Sequence, residues 1–304
     1  MSLSGARIGA NFATGPFVPQ VYSLKMQDKF YASSCVAAIA NTAWQGDIKG
    51  FGDKVIIRKV PTVNIFPYSV NAPISYQDIS DEQIILSIDQ QPAYAFRVDY
   101  IDDYQSDLAL IEKVSEDAAM QMKVFIDKQV LQALPAQIST ANSVTSVAIG
   151  VAQATGSTAA LTNATSLQPI LNSGEVMDAN NVPRDGNRWA VITPHWANLL
   201  KGGPLGQAYF TGDSTSPLRN GLIGEIDGMK IYVSNNVINA NGAVTGTGNS
   251  YCLAGHSSGL AFASQFMKHR QLELPDTFGW GVSGLNVYGS KAVKPEALVC
   301  MMVF

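Results

Sequence analysis

The chain reads as an α+β fold of two lobes with a projecting ribbon, and three observations predict it. Residues 82–90 and 93–99 read as adjoining strands that feed a long helix over 105–134, whose first half is heavily acidic. Residues 46–80 hold one β-branched strand and then Pro61, Pro67 and Pro73 in an extended return. Residues 136–304 mix short apolar strands, short helices and Gly/Asn-rich turns, the pattern of a separate lobe.

Taken in order, residues 1–24 carry Gly, Pro, Phe and Ser without a period, and Arg7 is their only charge. This is an apolar arm that needs another surface to lie on. Residues 25–43 place Met26, Phe30, Tyr31, Val36, Ile39 and Ala40 at roughly turn spacing, which predicts a helix. After a turn at Gly50-Phe-Gly-Asp53, residues 54–60 form a strand, and the chain returns through 63–68 and 74–76. Prolines at that density exclude a central strand and predict a free-standing ribbon. A lone ribbon is marginal in water, so it is expected to dock elsewhere.

In the next pair of strands Ile84, Leu86 and Ile88 alternate with polar or outward positions, and Tyr94, Phe96 and Val98 line one face of the return. Asp99, Asp102, Asp103 and Asp107 crowd the helix start, where carboxylates suit the positive end of the macrodipole. Ile111, Val114, Ala118, Met122, Phe125 and Val130 keep helical spacing, Glu112, Glu116, Asp117 and Asp127 fall on other faces, and Pro135 stops the helix. At 1.5 Å per residue that strut is roughly 40 Å long.

Residues 136–166 are small and uncharged, and periodicity does not choose between a loop and a strand pair. A helix follows at 167–180, a turn at 181–186 and a strand at 188–193. Thr193-Pro194 then starts a short helix, a capping hydroxyl followed by proline at the first position. Residues 222–226 and 229–233 flank Asp227-Gly228, the favoured two-residue hairpin turn. Residues 206–220 and 239–250 read as loops, 251–254 as a strand and 257–266 as a small-residue helix. Residues 279–290 and 297–304 read as the last two strands.

Composition narrows the function classes. With 304 residues the chain can bury a large core, and 46% hydrophobic against 14% charged residues is a low charge for a soluble monomer. A surface so short of charge is expected to become interface in part. A net charge of −4 gives no global argument for nucleic-acid binding. The N-terminus lacks a signal-peptide apolar core, and no run approaches the roughly 18 apolar residues that span a bilayer. Cys35, Cys252 and Cys300 are scattered among apolar neighbours, so buried free thiols in a cytoplasm are expected.

Gly255-His256-Ser257-Ser258-Gly259 satisfies the Gly-x-Ser-x-Gly pattern of a hydrolase nucleophile elbow, with Ser257 as nucleophile. Such an elbow needs an acid and then a histidine downstream, but His269 precedes Asp276 and no histidine follows it. A Gly/Ser-rich turn is the better reading. Gly242-Ala-Val-Thr-Gly-Thr-Gly248 lacks the Lys-Ser/Thr of a phosphate loop. His195, His256 and His269 lack zinc spacing, and the aspartates of 99–107 lack the glycine turn and terminal Glu of a calcium loop. The four tryptophans are dispersed and form no stacking platform. No catalytic residue, cofactor or metal is expected. The patch that stands out is the basic ribbon of Lys54, Arg58 and Lys59, suited to dock on an acidic surface such as the long helix.

The order of these parts resembles a tailed-bacteriophage major capsid protein with the Hong Kong 97-like fold. The stretches that carry it are Gly52-Asp-Lys-Val55, Trp189-Ala-Val-Ile-Thr-Pro194, Gly224-Glu-Ile-Asp-Gly-Met-Lys-Ile-Tyr-Val-Ser-Asn235, Tyr251-Cys-Leu-Ala-Gly-His256 and Val287-Tyr-Gly-Ser-Lys-Ala-Val-Lys-Pro-Glu-Ala-Leu-Val299. It implies an N-terminal arm and short helix at 1–45 and an extended E-loop at 46–80. It implies a peripheral domain of 81–135 and 265–288, with the long helix as spine, and an axial domain of 136–264 and 289–304. The implied function is an icosahedral head shell of pentamers and hexamers around double-stranded DNA, assembled in the host bacterial cytoplasm. DNA contact would be weak and sequence-independent, no membrane is involved, and scaffolding, portal or decoration proteins are further possible partners. On this reading Lys54, Arg58 and Lys59 meet Asp107, Glu112, Glu116 and Asp117 of a neighbour. Some members crosslink a ribbon lysine to a neighbour's asparagine; Lys54 or Lys59 with Asn286 is conceivable here, but the motif does not match residue by residue and no crosslink is expected. The alternatives are an encapsulin-like nanocompartment shell and a serine hydrolase using Ser257.

Overall fold

The computed structural model describes residues 29, 31–44, 54–61, 63–71, 73, 76–79, 82–105, 110–144, 161–203, 224–239, 250–275 and 277–303. The arm at 1–24, the 206–220 loop, the glycine-rich 242–248 stretch and Asp107 lie outside them. In chain order the elements begin with a short helix α1, Val36–Ile39. Of the predicted helix over 25–43, the described residues 31–43 form only this single α-helical turn, because Ser33, Ser34 and Cys35 bond to Val233 and Asp127 of other elements instead.

Strand β1, Lys54–Lys59, pairs antiparallel with β2, Glu82–Ser87, from Lys54 opposite Ser87 to Lys59 opposite Glu82. The return strand is therefore Glu82–Ser87, not residues 63–68, which run without strand pairing. The reason is chemical: prolines at 61, 67 and 73 donate no N–H to a ladder, whereas Glu82–Ser87 contains none. The side chains alternate, so Ile57 and Leu86 face inward with Ile88, Ala261, Ala263 and Val293. The ribbon is thus anchored at its base on its own subunit, and the described residues beyond it, 60–61, 63–71, 73 and 76–79, form no strand.

Strand β3, Ala93–Asp99, does not pair with β2 either. It leads into α2, Tyr100–Gln105, and α3, Leu110–Ala133, which ends before Pro135 as the sequence predicts. At 1.5 Å per residue α3 is about 36 Å long. Its C-terminal half is core, with Ile126, Val130, Leu131 and Leu134 buried. Ile111, Val114, Ala118 and Met122 are only half-buried and Phe125 is exposed, so the first half of the helix lies on the surface.

The remaining elements are β4, Ser143–Val144; α4, Gln168–Ala179; β5, Arg188–Ile192; α5, Pro194–Gly202; β6, Glu225–Ile226; β7, Met229–Val233; β8, Ile238–Asn239; and β9, Ser250–His256. Two 14-residue strands follow, β10, Leu260–Glu273, and β11, Gly279–Ala292, and the chain ends in β12, Leu298–Val303. Residues 257–266 were expected to be helical, but only Ser257–Gly259 forms a single 3-10 turn. Ala261 and Ala263 are buried in alternation, and Asn286 to Ala292 pair with Phe266 to Leu260, so long-range pairing overrides the small-residue helix propensity.

Two sheets result. The first has the order β10-β11-β3, all antiparallel, with α3 packed against β3 and β11. The second has the order β4-β12-β9-β5-β7-β6, with β8 on β9, and holds the main core with α4 and α5. β5 and β12 are buried at every position, which explains the apolar runs Trp189–Ile192 and Leu298–Val303. Two local features follow the sequence reading closely. Asp227 and Gly228 adopt φ of 51° and 70°, the positive pair that a type I′ turn requires. The Thr193 hydroxyl accepts from the Trp196 amide, with Pro194 at the first helical position.

Candidate functional site

The ribbon register sorts the basic residues. Lys54, Ile56 and Arg58 share one face with Ser87, Ile85 and Gln83, and all of Lys54, Ile56 and Arg58 are exposed. Lys59 points to the opposite side, across from Glu82. The patch is therefore a two-charge stripe around apolar Ile56 and Ile85, with Lys59 at its edge. Beyond it, residues 60–79 present Val60, Val63, Ile65, Phe66, Tyr68, Val70, Tyr76 and Ile79, with Ile65 97% and Tyr76 92% exposed. Asn64 donates its amide to the Gln77 side-chain oxygen at 3.0 Å and ties the two sides of this projection together. An apolar surface of that extent marks a contact region.

On α3, Glu112 and Glu116 are exposed and one helical turn apart, so they share a face. Asp117 is already engaged within its own chain: it accepts from Lys29 Nζ at 2.9 Å and from Gln121 Nε2 at 2.6 Å. Asp107 lies outside the described residues. The structure thus brings Glu112 and Glu116 together and assigns Asp117 a different partner.

Asp127 was expected on an outer face, yet it is 1% exposed. It stands on the same side of α3 as Val130 and Leu131, where an acid within the apolar stripe was the available signal. Its Oδ1 accepts from the amides of Cys35 and Val36, both at 2.8 Å, and from Ser34 Oγ at 3.2 Å. Its Oδ2 accepts from Asn236 Nδ2 at 2.9 Å. One carboxylate therefore caps α1 and joins the segment after the arm, the long helix and the β7–β8 connection. Nearby, Ser33 Oγ donates to the Val233 carbonyl at 2.7 Å and Ser234 Oγ donates to the Ser33 carbonyl at 2.9 Å. Burial and the Asp127 charge push the Cys35 thiol up to about 12, and burial does the same to Cys252, so neither is a reactive thiolate.

The Gly-x-Ser-x-Gly motif lies between two strands, not between strand and helix. His256, rather than a downstream histidine, contacts serine, and the serine is Ser258. The Ser258 amide donates to His256 Nδ1 at 3.2 Å and Ser258 Oγ lies 2.8 Å from the same nitrogen. That leaves Nε2 to donate to Asp185 Oδ1 at 2.9 Å. Asp185 also accepts from the Asn187 amide and side chain, and these bonds hold it well below the usual carboxylate range. Ser257 donates its amide to the Asn187 carbonyl at 3.2 Å. The set clasps the β9–β10 turn to the 185–187 turn. A nucleophile whose base already accepts its own backbone amide lacks the free lone pair that an elbow uses.

Beside it, Arg188 is fully buried and donates to Asp178 Oδ1 at 2.7 Å and to the Pro183 carbonyl at 3.1 Å. Arg184 donates to both Asp178 oxygens and to Asp227 Oδ1 at 3.0 Å. The Arg184 and then the Arg188 hydrogen bonds lower Asp178 to about 2, against 3.8 for the free side chain. A depressed carboxylate contributes stability above its unfolded value that is lost as pH falls through the folded value. Acid unfolding should therefore steepen between about pH 4 and pH 2, and the Asp178→Asn variant should lose that portion of the pH dependence in a circular-dichroism titration. An unchanged titration would remove Asp178 from the acid response.

Among the described residues, no group of three or more His, Cys, Asp or Glu is arranged to hold a metal ion, and no helix is long and apolar enough to cross a membrane.

The comparisons agree with this geometry. A family model described as phage capsid protein matches residues 81–301. Among solved structures, one from Mycobacterium phage Che8 is 26% identical, covers 94% of this chain and 97% of its own, and superposes with a TM-score of 0.78. The capsid structure of cyanophage P-SCSP1u is 14% identical, covers 100% and 99%, and has a TM-score of 0.75. The capsid of a native GTA particle is 10% identical, covers 97% and 99%, and has a TM-score of 0.71. No curated protein matches the chain.

Proposed function

The chain belongs to the phage capsid protein family and is a major capsid protein that forms the head shell, and from that premise we propose that the shell is closed by ribbon-to-helix docking between neighbours. The observation that carries this reading is the run of exposed apolar side chains from Val60 to Ile79, which a lone subunit would leave in water. Lys54 and Arg58 on the ribbon face, with Lys59 at its edge, meet Glu112 and Glu116 of the next subunit's long helix; Asp107 belongs to the same acidic end, and Asp117 is shared with Lys29. Exposed ion pairs contribute only about 0–1 kcal/mol each, so the charges set approach and register while apolar burial at about 25 cal/mol per Å² supplies the affinity.

The described pairing supports a domain division close to the sequence expectation. β3 joins β10 and β11 in one sheet, which supports grouping 81–135 with 265–288 as a peripheral domain and leaving 136–264 and 289–304 as the axial domain, with β10 and β11 running a few residues past those bounds. Of the N-terminal arm and short helix at 1–45, the helix Val36–Ile39 stays in the core of its own subunit, and the E-loop at 46–80 reaches a neighbour through the apolar side chains beyond Lys59. Pentamers and hexamers assemble in the bacterial cytoplasm around double-stranded DNA, which they contact weakly and without sequence preference, with scaffolding, portal or decoration proteins as further partners. The protein performs no catalysis, and a fluorophosphonate probe is expected to leave Ser257 and Ser258 unlabelled. A nanocompartment would enclose protein in place of DNA, so the contents of purified particles separate the two readings.

Reversing the charge of Arg58 and Lys59 to glutamate tests the docking. The subunit should keep its circular-dichroism spectrum while sedimenting particles fall at least about tenfold, and Glu112→Lys with Glu116→Lys should restore part of the yield. Normal particles from the reversed ribbon would overturn the proposal.

A further inference from the structure

The Gly-x-Ser-x-Gly stretch and its buried histidine are not used by ribbon docking, yet they stand where the chain passes between its two sheets. β9 ends at His256 in the larger sheet, a single 3-10 turn covers Ser257–Gly259, and β10 begins at Leu260 in the three-stranded sheet. The return crossing runs from β11 through residues 293–297 to β12 and touches the first. There the Val293 and Lys294 amides donate to the Gly259 carbonyl at 2.8 and 3.3 Å. The position of one short turn therefore bears on both crossings.

His256 holds that turn through a lone pair. Its side chain is 7% exposed, its Nδ1 accepts from the Ser258 amide to cap the 3-10 turn, and its Nε2 donates to Asp185. A proton on Nδ1 removes the lone pair, and the Ser258 amide loses its acceptor. The ring itself stays satisfied, because Ser258 Oγ lies 2.8 Å from Nδ1 and accepts from it in that state, while ionised Asp185 pairs with the imidazolium. The two ring states thus differ in whether the Ser258 amide has an acceptor in Nδ1. Imidazole is the side chain that ordinarily changes charge between about pH 8 and pH 5. Asp185 faces the ring from the 181–187 turn. Arg188 lies across from His256 in β5 with its guanidinium bonded to Asp178, and Arg184 is bonded to Asp178 and Asp227. Lys294 and Glu296 of the return crossing are exposed. We propose that His256 is a proton-operated latch: uptake of a proton at Nδ1 releases the Ser257–Gly259 turn and loosens the joint between the two sheets.

The test takes full-chain subunits labelled with 15N-histidine from about pH 8 to pH 5, reading the ring nitrogens by nuclear magnetic resonance and backbone amides by hydrogen exchange corrected for the intrinsic pH effect. The expected result is that His256 Nδ1 changes from acceptor to N–H while exchange across residues 258–260 and 293–294 rises at least about tenfold in step, with Leu298–Val303 unchanged. His256→Asn keeps an acceptor for the Ser258 amide but does not titrate, so its exchange should be flat across the same range. A ring that stays neutral, a ring that titrates without the rise, or an equal rise in His256→Asn would each overturn the proposal. Should His256→Asn fail to fold, Ser258→Ala provides the second variant. It retains the amide and removes the hydroxyl that accepts from the imidazolium, so both the ring titration and the exchange rise should move to lower pH. An exchange rise at the wild-type pH in Ser258→Ala would overturn the latch.

Discussion

Asp127→Ala is expected to lower the unfolding free energy of the subunit by about 4 kcal/mol, because it removes a buried charged acceptor and leaves its donors unpaired. The carboxylate accepts from two backbone amides, a serine hydroxyl and an asparagine amide. Removing it strands the first N–H groups of α1 in a buried setting, where water does not replace the lost acceptor. The Asp127→Asn variant keeps the shape but turns an NH2 group toward donors on one side, so about half that loss is expected. Urea unfolding of unassembled subunits, followed by tryptophan fluorescence, measures both. The order Ala, then Asn, then wild type in rising midpoint is the expected result; an Asn variant equal to wild type would show that the charge has no role.

Gly289→Ala is expected to cost about 3 kcal/mol and to loosen the ribbon selectively. A Cβ at Gly289 would lie 2.1 Å from the Ser87 carbonyl oxygen and 3.0 Å from the Ile88 Cα. Both neighbours are backbone, so the clash cannot be relieved by turning a side chain. The end of β2 must lift from β11, and Ile57, Leu86 and Ile88 lose contact with Ala261, Ala263 and Val293. Hydrogen exchange should therefore rise across Lys54–Lys59 and Glu82–Ser87 while Ser250–His256 and Leu298–Val303 stay protected. A uniform rise across all four strands would indicate general destabilisation and overturn the local account.

Periodicity carries little of either residue's importance. Gly289 reads as one small residue in a strand, and Asp127 gives only the signal of an acid within the apolar stripe, with no pointer to the groups it bonds. The basic ribbon was legible as charge, but its faces were not. Lys54 and Arg58 share a side and Lys59 does not, a distinction that the Lys54-to-Ser87 register decides. The histidine inside the Gly-x-Ser-x-Gly stretch found its acid 71 residues away, where no motif points.

What the sequence by itself determined was local: the long helix and its stop at Pro135, the Asp227-Gly228 turn, the Thr193-Pro194 helix start, and the buried strands at Arg188–Ile192 and Leu298–Val303. Each depends on forces acting within a few residues, namely a missing N–H, a positive φ, a capping hydroxyl or an unbroken apolar run. The tertiary structure alone decided partners. It paired Glu82–Ser87 with Lys54–Lys59 instead of Ala93–Asp99, drew residues 260–266 from a predicted helix into a 14-residue strand, and buried Asp127 at a three-way joint. Strand pairing and the fate of a single buried charge depend on groups dozens to hundreds of residues away. A local pattern gives each element its faces, and the packed chain decides what those faces meet.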